Sequence, residues 1–428
     1  MKGAAQAGRP RPPLLLNNIG TLLTLQGGRG PRRGRELGNL NAIANAAVLC
    51  QHGKISVVGP EREVLKHAKE LGADPEIESF DCKRGTVMPG FVDSHTHPVF
   101  AAPRLLDFEK RIQGASYQQI AETGGGIRSS VEGVRSASEV DLAQGVLAAF
   151  RHMQSSGTTT VEAKSGYGLS TEAELKSLRA IRQAAGEWHG TVVSTLLGAH
   201  VVPPEFAEKP HEYVKLVCEE MIPRVASEKL AQFVDVFCER GAFTLPQTEL
   251  IFDAAREHGL GVRAHVCQFS PQELSRLKRF SPASFDHLDC LSDQDLKSLA
   301  QQDTVATLLP GASYFLAHSY PPARRLIEAG AAVALATDYN PGTSPTTSMP
   351  MILSMACTQM KMTPAESISA ATINGAHALR LGGSKGSIEA GKDADLALFA
   401  VSDYRELCYW FGGNSCSAVV LNGILMKN

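Results

Sequence analysis

Met88-Pro89-Gly90-Phe91-Val92-Asp93-Ser94-His95-Thr96-His97 is a short apolar run that ends in two histidines one residue apart. Such a run, leaving its apolar part for polar residues, reads as a buried strand emptying into a loop. In an extended chain, residues two apart point to the same side, so the imidazoles of His95 and His97 can share one metal ion. An HxH pair by itself names no fold. Its meaning depends on what the rest of the chain sets beside it.

Outward from Met88, strand-like and helix-like stretches alternate. Eight short apolar or β-branched runs qualify as strands: 88–92, 158–163, 192–197, 233–237, 262–265, 283–288, 305–309 and 333–337. Helical stretches such as 171–185 and 245–258 separate them. Eight β/α repeats over some 300 residues have the size of a TIM-like (β/α)8 barrel. A doubly wound open sheet would place a Gly-rich phosphate turn after an early strand, and Gly124-Gly125-Gly126 follows no strand. Before residue 88 and after 381, the pattern is strand and turn. Residues 14–16, 47–50, 55–58, 395–399 and 418–423 read as strands, with a hairpin turn at His52-Gly53-Lys54. The expected organisation is a barrel over 88–381, with 14–87 and 382–428 meeting in one small β-sandwich domain. The basic, Pro-rich stretch 1–13 reads as a disordered tail. The Gly- and Arg-rich stretch 27–38 reads as a solvated loop, since no aromatics interleave as nucleic-acid binding would require.

Active sites of such barrels lie at the C-terminal ends of the strands. His95 and His97 end the first strand, His265 the fifth and Asp338 the eighth. Three imidazoles and a carboxylate suit Zn²⁺ and tolerate iron or another transition metal. Asp338 has a competing reading as a helix N-cap, and most of the 13 histidines read as packed or surface residues. The remaining composition narrows the field. A net charge of −2 favours neither nucleic acid nor an anionic membrane. No apolar run is long enough to span a bilayer. Nine cysteines without a CxxC pair read as reduced thiols in a cytoplasmic protein.

The opening run resembles that of the amidohydrolase superfamily. Further motifs, in order, narrow the resemblance to the imidazolonepropionase family. They are Val99-Phe100, Arg104, 124–127 (Gly-Gly-Gly-Ile), 164–169 (Lys-Ser-Gly-Tyr-Gly-Leu), Gly198-Ala199-His200 and 337–345 (Thr-Asp-Tyr-Asn-Pro-Gly-Thr-Ser-Pro). The resemblance implies hydrolytic ring opening of 4-imidazolone-5-propanoate to N-formimidoyl-L-glutamate, in histidine degradation. It implies one metal held by His95, His97, His265 and Asp338, and commonly a homodimer. Arg104 suits the substrate carboxylate, because a guanidinium donates two parallel hydrogen bonds. Tyr167, His200, Asn340, Gly342 and Thr343 are implied as substrate contacts. Asp338 is expected to move the proton and His287 to hydrogen-bond the nucleophile or the developing oxyanion. Gln268 stands where many family members carry Glu. An amide cannot act as a base, so its expected role is a hydrogen bond to the ring. A purine deaminase on the same scaffold would need the Glu. No second metal is expected, since Lys164 ends the second strand rather than the fourth.

Overall fold

The computed structural model describes residues 12–71, 76–115, 119 and 125–428. The N-terminal part supplies β1 (Leu14–Leu23), β2 (Ala42–Gln51), β3 (Lys54–Pro60), β4 (Glu78–Asp81) and β5 (Thr86–Pro89). The barrel strands are β6 (Phe91–Asp93), β7 (Thr158–Lys164), β8 (Thr191–Ala199), β9 (Phe233–Cys238), β10 (Gly261–Val266), β11 (Ser284–His287), β12 (Val305–Leu308) and β13 (Val333–Leu335). The C-terminal part adds β14 (Leu396–Phe399), β15 (Cys416–Leu421) and β16 (Ile424–Lys427).

Strands β6 to β13 are parallel and pair in sequence order. Between the first and last of them, closure runs through the residues just beyond the strands. His97 N–H donates to the Tyr339 carbonyl (2.8 Å) and Asp338 N–H to the His95 carbonyl (3.0 Å). Lower on the same seam, the Asp93 carboxylate accepts from Thr337 N–H (3.0 Å) and from its hydroxyl (2.6 Å). The expected helices form at Thr171–Glu187 and Leu245–Glu257. Thr244 and Gln247 cap the second reciprocally, which satisfies N–H groups the first turn leaves free.

Strands from both chain ends share one mixed sheet, in the order β16-β15-β14-β5-β1-β2-β3, with β4 beside β1. One face gathers its own core from Leu16, Ile19, Leu22, Val48, Leu396 and Val420, among others. The other face of β1 and β2 packs Leu15, Ala47 and Leu49 against Val64 and Ala68 of the helix Glu61–Glu70. The hairpin turn at His52-Gly53 adopts φ of 52° and 77°, the left-handed pair that matches strand twist.

Two expectations need correction. The single strand over 88–92 is two strands in two sheets. Pro89 ends β5, beside β14, while Phe91 begins β6, beside β7. The break falls on Gly90, whose missing Cβ would lie 2.1 Å from the Thr159 side chain. Only glycine lets the chain cross there. The stretch 27–38 is also no plain solvated loop. Arg32 is buried, its N–H donates to the Asn374 side chain (2.7 Å), and Leu37 is fully enclosed. Arg33 bridges to Ala332 beside β13. Of the tail expected over 1–13, residues 1–11 lie outside the described residues, as does Gly124 of the Gly-Gly-Gly-Ile run.

Candidate active site

The strands place charged side chains on the barrel interior by their period of two. Glu162 and Lys164 of β7, Asp235 of β9, Arg263 and His265 of β10 and Asp286 of β11 are all buried. They form one ionic floor. Lys164 Nζ lies 2.7 Å from Glu162 Oε1 and 2.8 Å from Asp235 Oδ2. Arg263 Nη2 donates to the Ser94 carbonyl (2.6 Å) and to Asp286 Oδ2 (3.2 Å). Sequence reasoning missed this floor as a unit. Its signal was there: charged residues two apart inside otherwise apolar runs.

The floor's carboxylates hold the histidines above it. His95 Nδ1 lies 2.8 Å from Asp286 Oδ2, and His265 Nδ1 lies 3.0 Å from Asp235 Oδ1. An ionised carboxylate accepts only, so each Nδ1 carries the proton and each Nε2 is left as a lone pair. Burial would raise the Asp235 carboxyl, but His265 and Lys164 outweigh it and hold the group well below the ordinary range. Burial also holds His95 and His97 well below the usual imidazole value, and so neutral at pH 7.

These ring nitrogens converge. His95 Nε2 is 3.2 Å from His97 Nε2, which is 3.3 Å from His265 Nε2. Asp338 Oδ1 lies 3.5 Å from His95 Nε2 and 3.4 Å from His97 Nε2. Ligands at metal–nitrogen distances of about 2.0–2.1 Å in tetrahedral array stand about 3.3 Å apart. Neutral imidazoles whose lone pairs face one another at this spacing repel unless a cation lies between them. The four residues therefore fit a metal ion. Burial pushes Asp338 up to about 6.

A cavity of about 70 Å³ opens above this cluster. His97, His265, His287, Asp338, Arg104, Tyr167, His200, Gln268, Asn340 and Thr343 line it, with apolar Ile127, Phe237 and Phe269 between them. Arg104 precedes the helix Leu105–Ile112. Its Nε donates to Ser130 Oγ (2.8 Å), and its guanidinium lies 5.5 Å from the Tyr167 ring centre. Gly342 does not line the cavity but backs it: a Cβ there would lie 2.4 Å from Arg104 Nη1. His200 donates from Nδ1 to the Gly166 carbonyl (2.9 Å), which leaves Nε2 as its acceptor, and its ring stacks on His97 at 5.6 Å. The Asn340 side chain is engaged inside its own loop. Its Oδ1 accepts from Gly342 N–H (2.8 Å) and Thr343 N–H (2.7 Å), and its Nδ2 donates to the Asp338 carbonyl (2.7 Å). This Asx-type turn shapes the loop that carries Asp338. His287 closes the far side, 5.4 Å ring to ring from His265, and burial pushes it down to about 4. Lys164 ends β7, as expected, and Cys238 ends β9 with Glu239 just beyond it. Lys164 is held in the floor, and Glu239 accepts from Phe269 N–H (2.9 Å) in the loop after β10.

Comparison with known proteins agrees with this geometry. The amidohydrolase family model matches residues 86–425. A Solibacter usitatus protein described as imidazolonepropionase is 44% identical over 410 residues, 95% of this chain and 97% of that one. One from Geobacillus sp. (strain WCH70), described the same way, is 43% identical over 413 residues, 96% and 97% of the two chains. Among solved structures, an adenosine deaminase from Xanthomonas campestris with bound zinc superposes with a TM-score of 0.72 at 19% identity, covering 97% of this chain and 93% of its own. E. coli guanine deaminase superposes with a TM-score of 0.74 at 15% identity, covering 98% and 100%. At those identities the structures bear on the fold alone. The chain belongs to the amidohydrolase family, in its imidazolonepropionase branch.

Proposed function

We propose that this chain hydrolyses 4-imidazolone-5-propanoate to N-formimidoyl-L-glutamate, with the residues of the barrel mouth in the following roles. The observation that carries the reading is the convergence of His95, His97, His265 and Asp338 beneath a cavity with Arg104 at its rim. The substrate is a small flat ring with a carboxylate tail, and the site offers a place for each part. Arg104 takes the carboxylate by charge-assisted hydrogen bonds, held in orientation by Ser130 and by the Tyr167 ring. Tyr167 and His200 bound the ring on the β7–β8 side. Gln268 hydrogen-bonds it from the β10 side. Asn340, Gly342 and Thr343 form the wall behind Arg104.

His95, His97, His265 and Asp338 would hold one metal ion. Such an ion acidifies the attacking water and polarises the ring carbonyl. Zn²⁺ suits three imidazoles and a carboxylate, and iron or another transition metal is the alternative. Asp338 takes the proton of the attacking water and returns it to the leaving ring nitrogen. His287 hydrogen-bonds the attacking water. Turnover of imidazolonepropionate, followed by formimidoylglutamate detection before and after chelation, tests the reading. Ammonia release from purines instead would overturn it.

Two supporting assignments go with it. All nine cysteines are free thiols in the structure, in keeping with a cytoplasmic protein. No helix among the described residues is long and apolar enough to cross a membrane. Exposed Leu105, Leu106 and Ile112, on the helix after Arg104, support the homodimer, since a second copy would cover them. Sedimentation of the purified protein at monomer mass would remove that assignment.

A further inference from the structure

Of the five histidines around the cluster, His95, His265 and His200 each have an acceptor at Nδ1. The Nδ1 atoms of His97 and His287 are both buried without a hydrogen-bond partner, and of these two only His287 has a carboxylate near that nitrogen among the described residues. Buried ring nitrogens are rarely left this way. The nearest carboxylate is Asp289, with Oδ2 3.9 Å from that nitrogen. The other oxygen of Asp289 accepts from Ser313 Oγ at 2.9 Å, which anchors the carboxylate with Oδ2 toward the ring. The backbone that brings the two together is strained. His287 and Leu288 adopt φ of 80° and 66°, in the left-handed region that side chains disfavour. Two hydrogen bonds to the strand beside it hold this kink, Leu288 N–H to the Val266 carbonyl (3.2 Å) and Cys290 N–H to the Cys267 carbonyl (2.7 Å). Strain of this kind persists where the surroundings over-determine it and gathers at functional positions.

We propose that Asp289 is a positioning residue for His287: it accepts the Nδ1 proton when the site closes on substrate and so turns the Nε2 lone pair of His287 toward the attacking water. This rests on the hydrolytic reading given above. A gap of 3.9 Å closes by a small side-chain rotation, and hydrogen bonds of this kind are often long before substrate binds.

The test is Asp289→Asn in the metal-loaded enzyme, with nitrogen NMR of His287 beside steady-state kinetics. The wild type is expected to show His287 protonated at Nδ1 when a substrate analogue is bound. The variant's amide donates where the carboxylate accepted, so the proton moves to Nε2. Then kcat falls on the order of 10²-fold or more while KM stays within about 3-fold. Metal content and melting temperature stay at the wild-type values. Should Asp289→Asn fail to fold, Ser313→Ala, which frees one carboxylate oxygen, is expected to lower kcat several-fold at constant KM. A wild-type His287 unprotonated at Nδ1, or kcat unchanged in the folded variant, overturns the proposal. If the wild type does not turn over imidazolonepropionate at all, the reaction reading falls instead. The NMR result still decides what Asp289 does.

Discussion

The floor of the site and its rim hold their charged groups in opposite ways. On the floor, Lys164 and Arg263 are each locked against carboxylates, and Asp235 and Asp286 each face a cation on one side and a ligand imidazole on the other. Every one of these side chains is shut off from water. At the rim, Arg104 leans on a hydroxyl and an aromatic ring and has no carboxylate partner among the described residues. A buried, paired charge is expensive to disturb and serves to fix geometry. A half-buried, unpaired guanidinium is free to take up an incoming carboxylate. With Arg104 in the role proposed for it, the site separates its duties by depth: rigidity below, recognition above.

Four experiments would break or sharpen that division. Removing the metal by chelation should bring the largest change, with hydrolysis falling to background and returning on addition of Zn²⁺ or iron. Product formation measured before and after reconstitution checks it. Next, Asp286→Asn should weaken metal binding roughly 10- to 100-fold, because the amide orients His95 less firmly. It also removes one of the carboxylates that balance Arg263, which keeps Glu162 nearby, and so lowers stability. Chelator competition and thermal unfolding read the two effects separately, and an unchanged metal affinity would show that the floor does not position its ligands. At the rim, Arg104→Ala should raise KM roughly 10- to 100-fold with kcat little altered, the signature of lost charged hydrogen bonds made equally in ground and transition states. A fall in kcat of equal size would blur the division. The smallest effect is expected from Gly342→Ala. Its new methyl would meet Arg104 Nη1 at 2.4 Å and push the guanidinium aside, for a KM rise on the order of 3- to 10-fold. Double substitution at 104 and 342 should then add little to Arg104→Ala alone.

The same depth division decided what the sequence disclosed. The rim and three of the four convergent residues were legible because they sit in loops whose motifs are local: His95-Thr96-His97, the run around Tyr167, and the turn from Asp338 to Thr343; His265, inside β10, was legible from its place at the end of the fifth apolar run. The barrel was legible from eight apolar runs at regular spacing. The floor was not, since its pairs join residues far apart in the chain. Lys164 meets Asp235 and His95 meets Asp286 only once the strands lie side by side. The division of 88–92 between two sheets was equally hidden. An apolar run of that length looks the same whether it serves one sheet or two, and Gly90 declares itself only against Thr159. Arg32 misled for a related reason: a Gly- and Arg-rich stretch reads as exposed until a partner such as Asn374 is brought to it.

The seam between β6 and β13 carries a further consequence. The barrel is a hoop with one join, and the two backbone hydrogen bonds that fasten it belong to His95, His97, Asp338 and Tyr339. Three of those four residues also converge on the metal position. An ion held there would therefore tie the two ends of the hoop together through side chains as well as backbone. The two hydrogen bonds form without the ion, so a bound ion would brace a join already made, and amide hydrogens along it should exchange with solvent faster in metal-free protein than in loaded protein.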